Sequence, residues 1–203
     1  MHTKRARYIA VIIALAVFAV GFFGNVIAKY VTSAKFSGNV TYHADIASAF
    51  ILNESKAERQ SDGSYTLNNA LDVIGNNYYV MPGVDIPKNP KVFIGEKTDV
   101  TAYLYVEIIA TMPSSVSYTV NSQWELLGGI TGENGGAVYA YKGATAEPLP
   151  LDNSNCPNTY IEILENNLLN VEQEYAGEPV DMDFYAYLIQ VNGTATETYD
   201  SIY

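Results

Sequence analysis

The sequence predicts an all-β protein, an antiparallel β-sandwich of jelly-roll type with minor helix, preceded by an N-terminal hydrophobic signal helix. Hydrophobic residues make up 48% of the 203 residues, which is enough to bury a core. The tyrosines recur mainly in short segments of alternating polarity, a pattern typical of half-buried strands. Glycine and proline separate these segments, as at Met81–Gly83 and Asn192–Gly193, and this punctuation favours a sandwich over a parallel α/β sheet.

The first 28 residues have the pattern of an export signal. Basic residues near the N-terminus precede an apolar run over Tyr8–Gly24, and small residues ending at Ala28 offer a cleavage site before Lys29. This order is that of a secretory signal peptide. A retained signal anchor is the alternative, because the run lies at the lower edge of the length that spans a bilayer. The sequence therefore predicts a signal over residues 1–28 and one exported domain over residues 29–203.

Alternating segments predict the strands of that domain. An early strand covers Val40–Ile46, and the clearest covers Asp99–Ala110, with Leu104 on its apolar face and Tyr103 on its polar face. Val180–Asn192 is a second clear strand with an acidic and aromatic outer face. Four shorter strands are predicted over residues 91–94, 116–120, 138–142 and 160–164. Helix is predicted to be minor: residues 47–60 and 168–176 could each hold a few helical turns, but neither has a continuous apolar stripe.

Charge and composition exclude several classes of function. The formal net charge of −11 disfavours binding to nucleic acid and to anionic lipid surfaces. A single cysteine, Cys156, excludes an internal disulfide framework. After removal of the signal His43 is the sole histidine, so a two-histidine zinc site cannot form within one subunit. We interpret Cys156 as a solitary loop thiol and His43 as a surface imidazole, and we predict neither enzymatic activity nor a cofactor.

Two groups of oxygen-bearing side chains are candidate cation sites. Asp181 and Asp183 share one face of a strand, where two carboxylates could share a proton or a cation, but we interpret them as a solvated acidic face. Asp152, Ser154 and Asn155 weakly resemble part of a calcium-binding loop that lacks its glycine and its distal glutamate. The sequence therefore predicts no defined metal site, while calcium bridging between acidic subunits remains open.

Tyrosines on strand faces allow a second class of function, a Tyr-rich carbohydrate-binding β-sandwich module retained at the cell surface. Exposed aromatic rings can stack on sugars, whereas cross-strand aromatic packing accounts for the same pattern without a ligand. The candidate platform residues are Tyr78, Tyr79, Tyr103, Tyr105, Tyr185 and Tyr187.

The order of motifs along the chain resembles that of a known family. Ile27–Ser33 follows the hydrophobic run, Phe36–Thr41 gives a Gly-containing entry into the first strand, Val80–Ile86 contains a Pro-Gly turn, and Phe184–Gly193 is the closing strand. In these features the chain resembles the TasA and camelysin family of exported proteins with SipW-type signal peptides. The resemblance implies a secreted jelly-roll domain of the bacterial cell surface or extracellular matrix that polymerises into filaments of a biofilm matrix.

A basic arm precedes an acidic body, because Lys29 and Lys35 come before all 22 acidic residues. We hypothesise that residues 29–36 are a donor strand, which adds to an unpaired sheet edge of the next copy and fills apolar pockets there with Tyr30 and Phe36. The resemblance implies the same mechanism. The donor residues are Lys29, Tyr30, Val31, Thr32, Ala34, Lys35 and Phe36.

The contacts of such an arm are head-to-tail and propagate as a filament. The predicted partners are copies of the same chain, with other matrix proteins or surface glycans as further partners. Contact with a membrane is expected only through residues 1–28 if the signal is uncleaved.

Overall fold

The structure, a computed structural model, describes residues 31–35, 50–95 and 100–202. Several predictions lie outside the described residues: the signal over residues 1–28, the cleavage site between Ala28 and Lys29, and the early strand Val40–Ile46 with His43. In the described part, strands dominate and one short helix lies near the C-terminus.

The elements are named in chain order. The strands are β1 (Val31–Lys35), β2 (Phe50–Arg59), β3 (Tyr65–Val73), β4 (Ile86–Pro87), β5 (Lys91–Ile94), β6 (Ala102–Thr111), β7 (Val116–Val120), β8 (Trp124–Thr131), β9 (Ala137–Tyr141), β10 (Tyr160–Glu162), β11 (Leu164–Val171) and β12 (Asp181–Gln190). The helix is α1 (Ala195–Asp200).

The strands pair in antiparallel sheets. One sheet has five strands in the order β1-β12-β6-β9-β8, a second has the order β10-β5-β2-β3, and a third has the order β4-β11-β7. Ile163 alone separates β10 from β11, and its N–H donates to the Pro90 carbonyl at 3.0 Å while its carbonyl accepts from Asn121 at 2.8 Å. The two smaller sheets therefore join along this strand. The predicted all-β, antiparallel architecture is confirmed, with the five-stranded sheet on one side of the main core.

The main core lies between the five-stranded sheet and the two smaller ones. Alternate residues of β6 and β12 point into it, among them Leu104, Phe184 and Leu188, each fully buried. Val92 and Ile94 of β5 face them across the core. The alternation that predicted strands at 91–94, 116–120 and 138–142 corresponds to β5, β7 and β9, and the segment 160–164 spans β10 and the start of β11.

Neither segment that could hold helical turns is helical in its described residues: residues 50–59 form a strand, and residues 168–176 form the end of a strand followed by a turn. Phe50–Arg59 is β2, whose buried Phe50 and Leu52 alternate toward the main core and whose backbone pairs with β5. Residues 168–171 belong to β11, which pairs with β7 on either side of a register irregularity. Asn166 and Asn167 adopt left-handed conformations there, with φ of 55° and 54°. Asparagine tolerates this region better than most residues, so the irregularity is compatible with the local sequence.

Candidate assembly site

The segment predicted as a donor strand pairs with its own chain. β1 runs antiparallel to β12 as the outermost strand of the five-stranded sheet, in a register that places Val31 opposite Ile189 and Lys35 opposite Tyr185. Of the predicted donor residues, Val31, Thr32, Ala34 and Lys35 lie in β1. Lys29, Tyr30 and Phe36 lie outside the described residues. We call the backbone of Tyr185–Ile189 that faces β1 the β12 edge.

The β12 edge belongs to a strand that is buried on both faces. Phe184, Ala186 and Leu188 point into the main core, and Tyr187 and Ile189 point into a second core on the opposite side of the sheet. Without a partner strand, the N–H and C=O groups on this side of β12 would lower the stability of the fold, because buried unpaired backbone groups cost free energy. The β12 edge therefore needs a covering strand, which β1 supplies.

The second core explains why the tyrosine alternation was misinterpreted. Tyr103, Tyr105 and Tyr187 are 8%, 0% and 1% exposed, because α1 covers this face of the sheet. The Tyr105 hydroxyl donates to the Ala195 carbonyl at 2.8 Å, and the Tyr199 ring lies 5.2 Å from that of Tyr105. Burial raises the pKa of Tyr105 and raises that of Tyr199 to about 12. The face of β6 that was predicted to be polar therefore lies in the second core.

The tyrosines predicted as a sugar-stacking platform do not share one exposed surface, because several of them are buried in the second core. Tyr103, Tyr105 and Tyr187 are unavailable to a ligand, and Tyr78 is half-buried with its hydroxyl donating to the Pro87 carbonyl at 2.9 Å. Tyr79 is 73% exposed and stands on a different part of the surface from the second core. The six tyrosines thus do not form one exposed surface.

A buried carboxylate fastens the turn between β8 and β9 to the five-stranded sheet. Glu107 is fully buried, and one of its oxygens accepts from the backbone N–H groups of Asn134 and Gly136, each at 2.8 Å. Its other oxygen accepts from the Tyr187 hydroxyl at 2.7 Å and from the Asn134 amide at 3.0 Å. Gly136 is required because a Cβ there would lie 2.6 Å from the Ile108 carbonyl oxygen. The sequence does not indicate this network, because Glu107 lies on the face of the alternating strand that was predicted to be polar.

A cleft of about 500 Å³ opens beside the start of β12. Its lining includes Tyr78, Lys88, Asp181 and Asp183, and the Lys88 ammonium lies 2.8 Å from the buried Glu54 carboxylate. The strand β12 extends past β1 here, and no described strand pairs with Asp181–Phe184 on the side away from β6. Asp181 and Asp183 are exposed, as the prediction of a solvated acidic face requires.

The remaining predicted residues form local structure. The Cys156 thiol is half-buried and donates to the Gly95 carbonyl at 2.8 Å, and burial raises its pKa, which disfavours the reactive thiolate. The Asp152 carboxylate accepts from the Ser154 hydroxyl and N–H, and these hydrogen bonds lower its pKa. The segment with weak resemblance to a calcium loop is thus a hydrogen-bonded turn. The described ranges contain no cluster of three or more metal-ligating side chains.

Comparisons of the chain with protein families, with curated proteins and with solved structures found no match. Within residues 31–35, 50–95 and 100–202, no helix is long and apolar enough to cross a bilayer.

Proposed function

We propose that the protein is an exported structural subunit whose copies assemble into extracellular filaments by exchanging β1. One observation carries the proposal: the segment predicted as a donor strand lies in a five-residue antiparallel register on the β12 edge. This pairing supports the assignment of the β12 edge as the acceptor surface in the proposed donor-strand addition. In the filament, β1 of one copy occupies the β12 edge of the next.

Exchange between copies conserves the interactions seen within one chain. The same residue pairs form whether β1 belongs to its own subunit or to a neighbour. Swapping of an identical element is therefore a low-cost route to assembly. Because donor and acceptor are different surfaces, the assembly always keeps one free arm at one end and one free edge at the other, and it grows without closing.

Charge favours the encounter of arm and acceptor. The arm carries Lys29 and Lys35 and no acidic residue before Asp45. Exposed Asp181 and Asp183 lie on β12 beyond the Tyr185 end of the edge. Complementary charge of this kind raises association rates and orients partners more than it adds affinity.

Three further features of the proposal are secretion, filament formation and the jelly-roll winding of the sandwich. The export signal over residues 1–28 supports secretion to the bacterial surface or matrix, and the resemblance to the TasA and camelysin family supports the filament. The chain crosses the main core repeatedly, for example between β5 and β6, β6 and β7, and β11 and β12. This repeated crossing supports a jelly-roll winding of the sandwich.

Truncation of the arm tests the proposal. A protein that begins at Ser37 should fold, elute as a monomer in size-exclusion chromatography and form no fibres visible by electron microscopy. A synthetic peptide of residues 29–36 added in trans should bind the truncated protein. The matched control peptide carries Ala34→Pro, which removes a backbone N–H from the centre of β1 and should bind far more weakly. Fibres formed by the truncated protein would refute the exchange of β1.

A further inference from the structure

An amine, an amide and a carboxylate converge on the face of β2, β3 and β5 that is turned away from the main core. The Lys91 ammonium lies 2.8 Å from one oxygen of Asp72, and the other oxygen of Asp72 accepts from the Tyr160 hydroxyl at 3.2 Å. The Asn53 amide nitrogen donates to the same hydroxyl at 3.4 Å. Asn53 and Lys91 are directly opposite each other in the register of β2 and β5.

The amine and the amide are shielded from water. The side chain of Lys91 is 12% exposed and Asn53 is 8% exposed, while the Asp72 side chain is 39% exposed. The Tyr160 ring lies 4.5 Å from the Lys91 nitrogen and is itself packed against Phe93. The carbonyl oxygen of the Asn53 side chain is buried with no hydrogen-bond partner in the described structure. A buried acceptor left without a partner is uncommon and calls for an explanation.

We propose that Lys91 and Asn53 join in an intramolecular isopeptide bond, with Asp72 as the proton carrier. The Lys91 ammonium passes one proton to the Asp72 carboxylate, and the free amine adds to the side-chain carbonyl carbon of Asn53. The bond from that carbon to the amide nitrogen then breaks. Asp72 passes this proton to the departing nitrogen and then relays the second proton of the Lys91 amine, which the new amide does not keep, so the nitrogen leaves as an ammonium ion. No oxidant, reductant or other reactant is needed, and Asp72 ends as a carboxylate.

The strand geometry permits this bond. Side chains directly opposite each other on antiparallel strands have Cβ atoms about 4.5–5.5 Å apart, a gap that the linked lysine and asparagine side chains can bridge. The hydrogen bond from Lys91 lowers the pKa of Asp72, so the charged pair is the resting state and the neutral pair is the reactive minority. A reaction that occurs once in the life of each molecule tolerates a small reactive fraction. The bond would close a covalent loop from Asn53 to Lys91 that contains β3 and β4.

The intact mass of the full secreted protein decides whether the bond forms. The wild-type protein should be lighter than its sequence mass by one ammonia molecule, and tryptic digestion should give a branched peptide joining the Asn53 and Lys91 segments. Lys91→Arg and Asn53→Ala should each restore the sequence mass. The matched control Lys56→Arg, an exposed lysine on the same strand β2, should keep the mass deficit. A wild-type mass equal to the sequence mass would overturn the proposal, whatever the variants do.

Two further measurements separate the bond from other sources of the same mass loss. Asparagine followed by glycine, as at Asn134 and Asn192, can lose ammonia as a succinimide, which hydroxylamine cleaves. The isopeptide bond should survive hydroxylamine, and a deficit mapped to either Asn-Gly sequence would contradict it. Asp72→Asn should abolish the deficit in a protein that remains folded by circular dichroism. A full deficit in that variant would show that Asp72 is not the proton carrier. The inference does not depend on the proposed assembly.

Discussion

Replacement of the buried Glu107 carboxylate by an amide of the same shape, Glu107→Gln, should strongly destabilise the fold. Each carboxylate oxygen accepts from two donors, one from the backbone N–H groups of Asn134 and Gly136 and the other from the Tyr187 hydroxyl and the Asn134 amide. A glutamine presents an NH₂ group at one of these two positions, whichever way its amide is turned. If the NH₂ group faces the two backbone N–H groups, two hydrogen bonds are lost. If it faces Tyr187, the hydroxyl can accept from it, and only the hydrogen bond from the Asn134 amide is lost.

The magnitude follows from these contacts. The glutamine should adopt the less costly orientation, in which one hydrogen bond is lost. Hydrogen bonds to a charged acceptor contribute about 1.5–3 kcal/mol each, so this loss costs about 1.5–3 kcal/mol, and the two bonds from the backbone N–H groups weaken because the glutamine oxygen is neutral. A neutral amide is cheaper to bury than a carboxylate, which offsets part of the loss. We therefore expect Glu107→Gln to lower the free energy of unfolding by about 2–4 kcal/mol, a large part of the stability of a typical domain.

Urea denaturation of wild type and variant measures this difference. The matched control Glu165→Gln changes an exposed glutamate and should shift the free energy of unfolding by less than about 0.5 kcal/mol. Tyr187→Phe removes one of the four donors, so its effect should combine with that of Glu107→Gln less than additively. A Glu107→Gln protein as stable as wild type would refute the assignment of this carboxylate as the acceptor that holds the β8–β9 turn.

Three further predictions concern the two cores, pH and processing. Leu104→Ala and Tyr103→Ala should each lower the free energy of unfolding by about 2–5 kcal/mol, because β6 is buried on both faces; a negligible effect of Tyr103→Ala would contradict the second core. Burial raises the pKa of Tyr199 to about 12 in the folded protein, so this tyrosine ionises at lower pH in the unfolded chain. The free energy of unfolding should therefore fall as pH rises from about 10 through 12. Phenolate absorbance follows that titration, and a normal pKa would show that α1 leaves Tyr199 open to solvent. The secreted protein should begin at Lys29 or within a few residues of it by intact mass, whereas a membrane-bound protein that keeps residues 1–28 would be an anchored surface domain.

The sequence was sufficient to predict strands whose alternation reflects burial on one face. β5 and β7 lie where that pattern placed them. β9 and β12 were also placed correctly, although their side chains contribute to both cores. For β6 the strand was predicted but the environment of Tyr105 was not, because tyrosine tolerates both solvent and a core in which its hydroxyl finds a partner.

The errors came from elements that tertiary contacts determine. β2 contains Glu54, Lys56, Ala57 and Arg59, which favour a helix locally, yet Phe50 pairs with β5 and faces the core, and this packing overrides the weak propensity. The helix α1 has only six residues and was missed. Its single sequence signal was the capping box of Thr194 and Glu197, which the structure contains in both directions.

The candidate assembly site could be predicted only on the donor side. The position of the arm directly after the signal, its basic charge and its alternation indicated an extended segment. The acceptor could not be predicted, because the β12 edge exists only once β12 has paired with β6 on its other side. Sequence separation between β1 and β12 spans most of the chain, and local patterns carry no information on such pairing.

A disulfide between β1 and β12 tests the exchange most directly. Ala34 and Ala186 are opposite each other in the register, at the Cα separation of about 4.5–5.5 Å that a disulfide accepts, and both side chains are small. Two single-cysteine proteins, Ala34→Cys and Ala186→Cys, each with Cys156→Ser, are mixed, allowed to assemble and oxidised. If β1 is exchanged, sedimented fibres contain disulfide-linked dimers on a non-reducing gel, whereas unmixed proteins do not. Fibres of the mixture without such dimers would contradict the exchange of β1 between subunits.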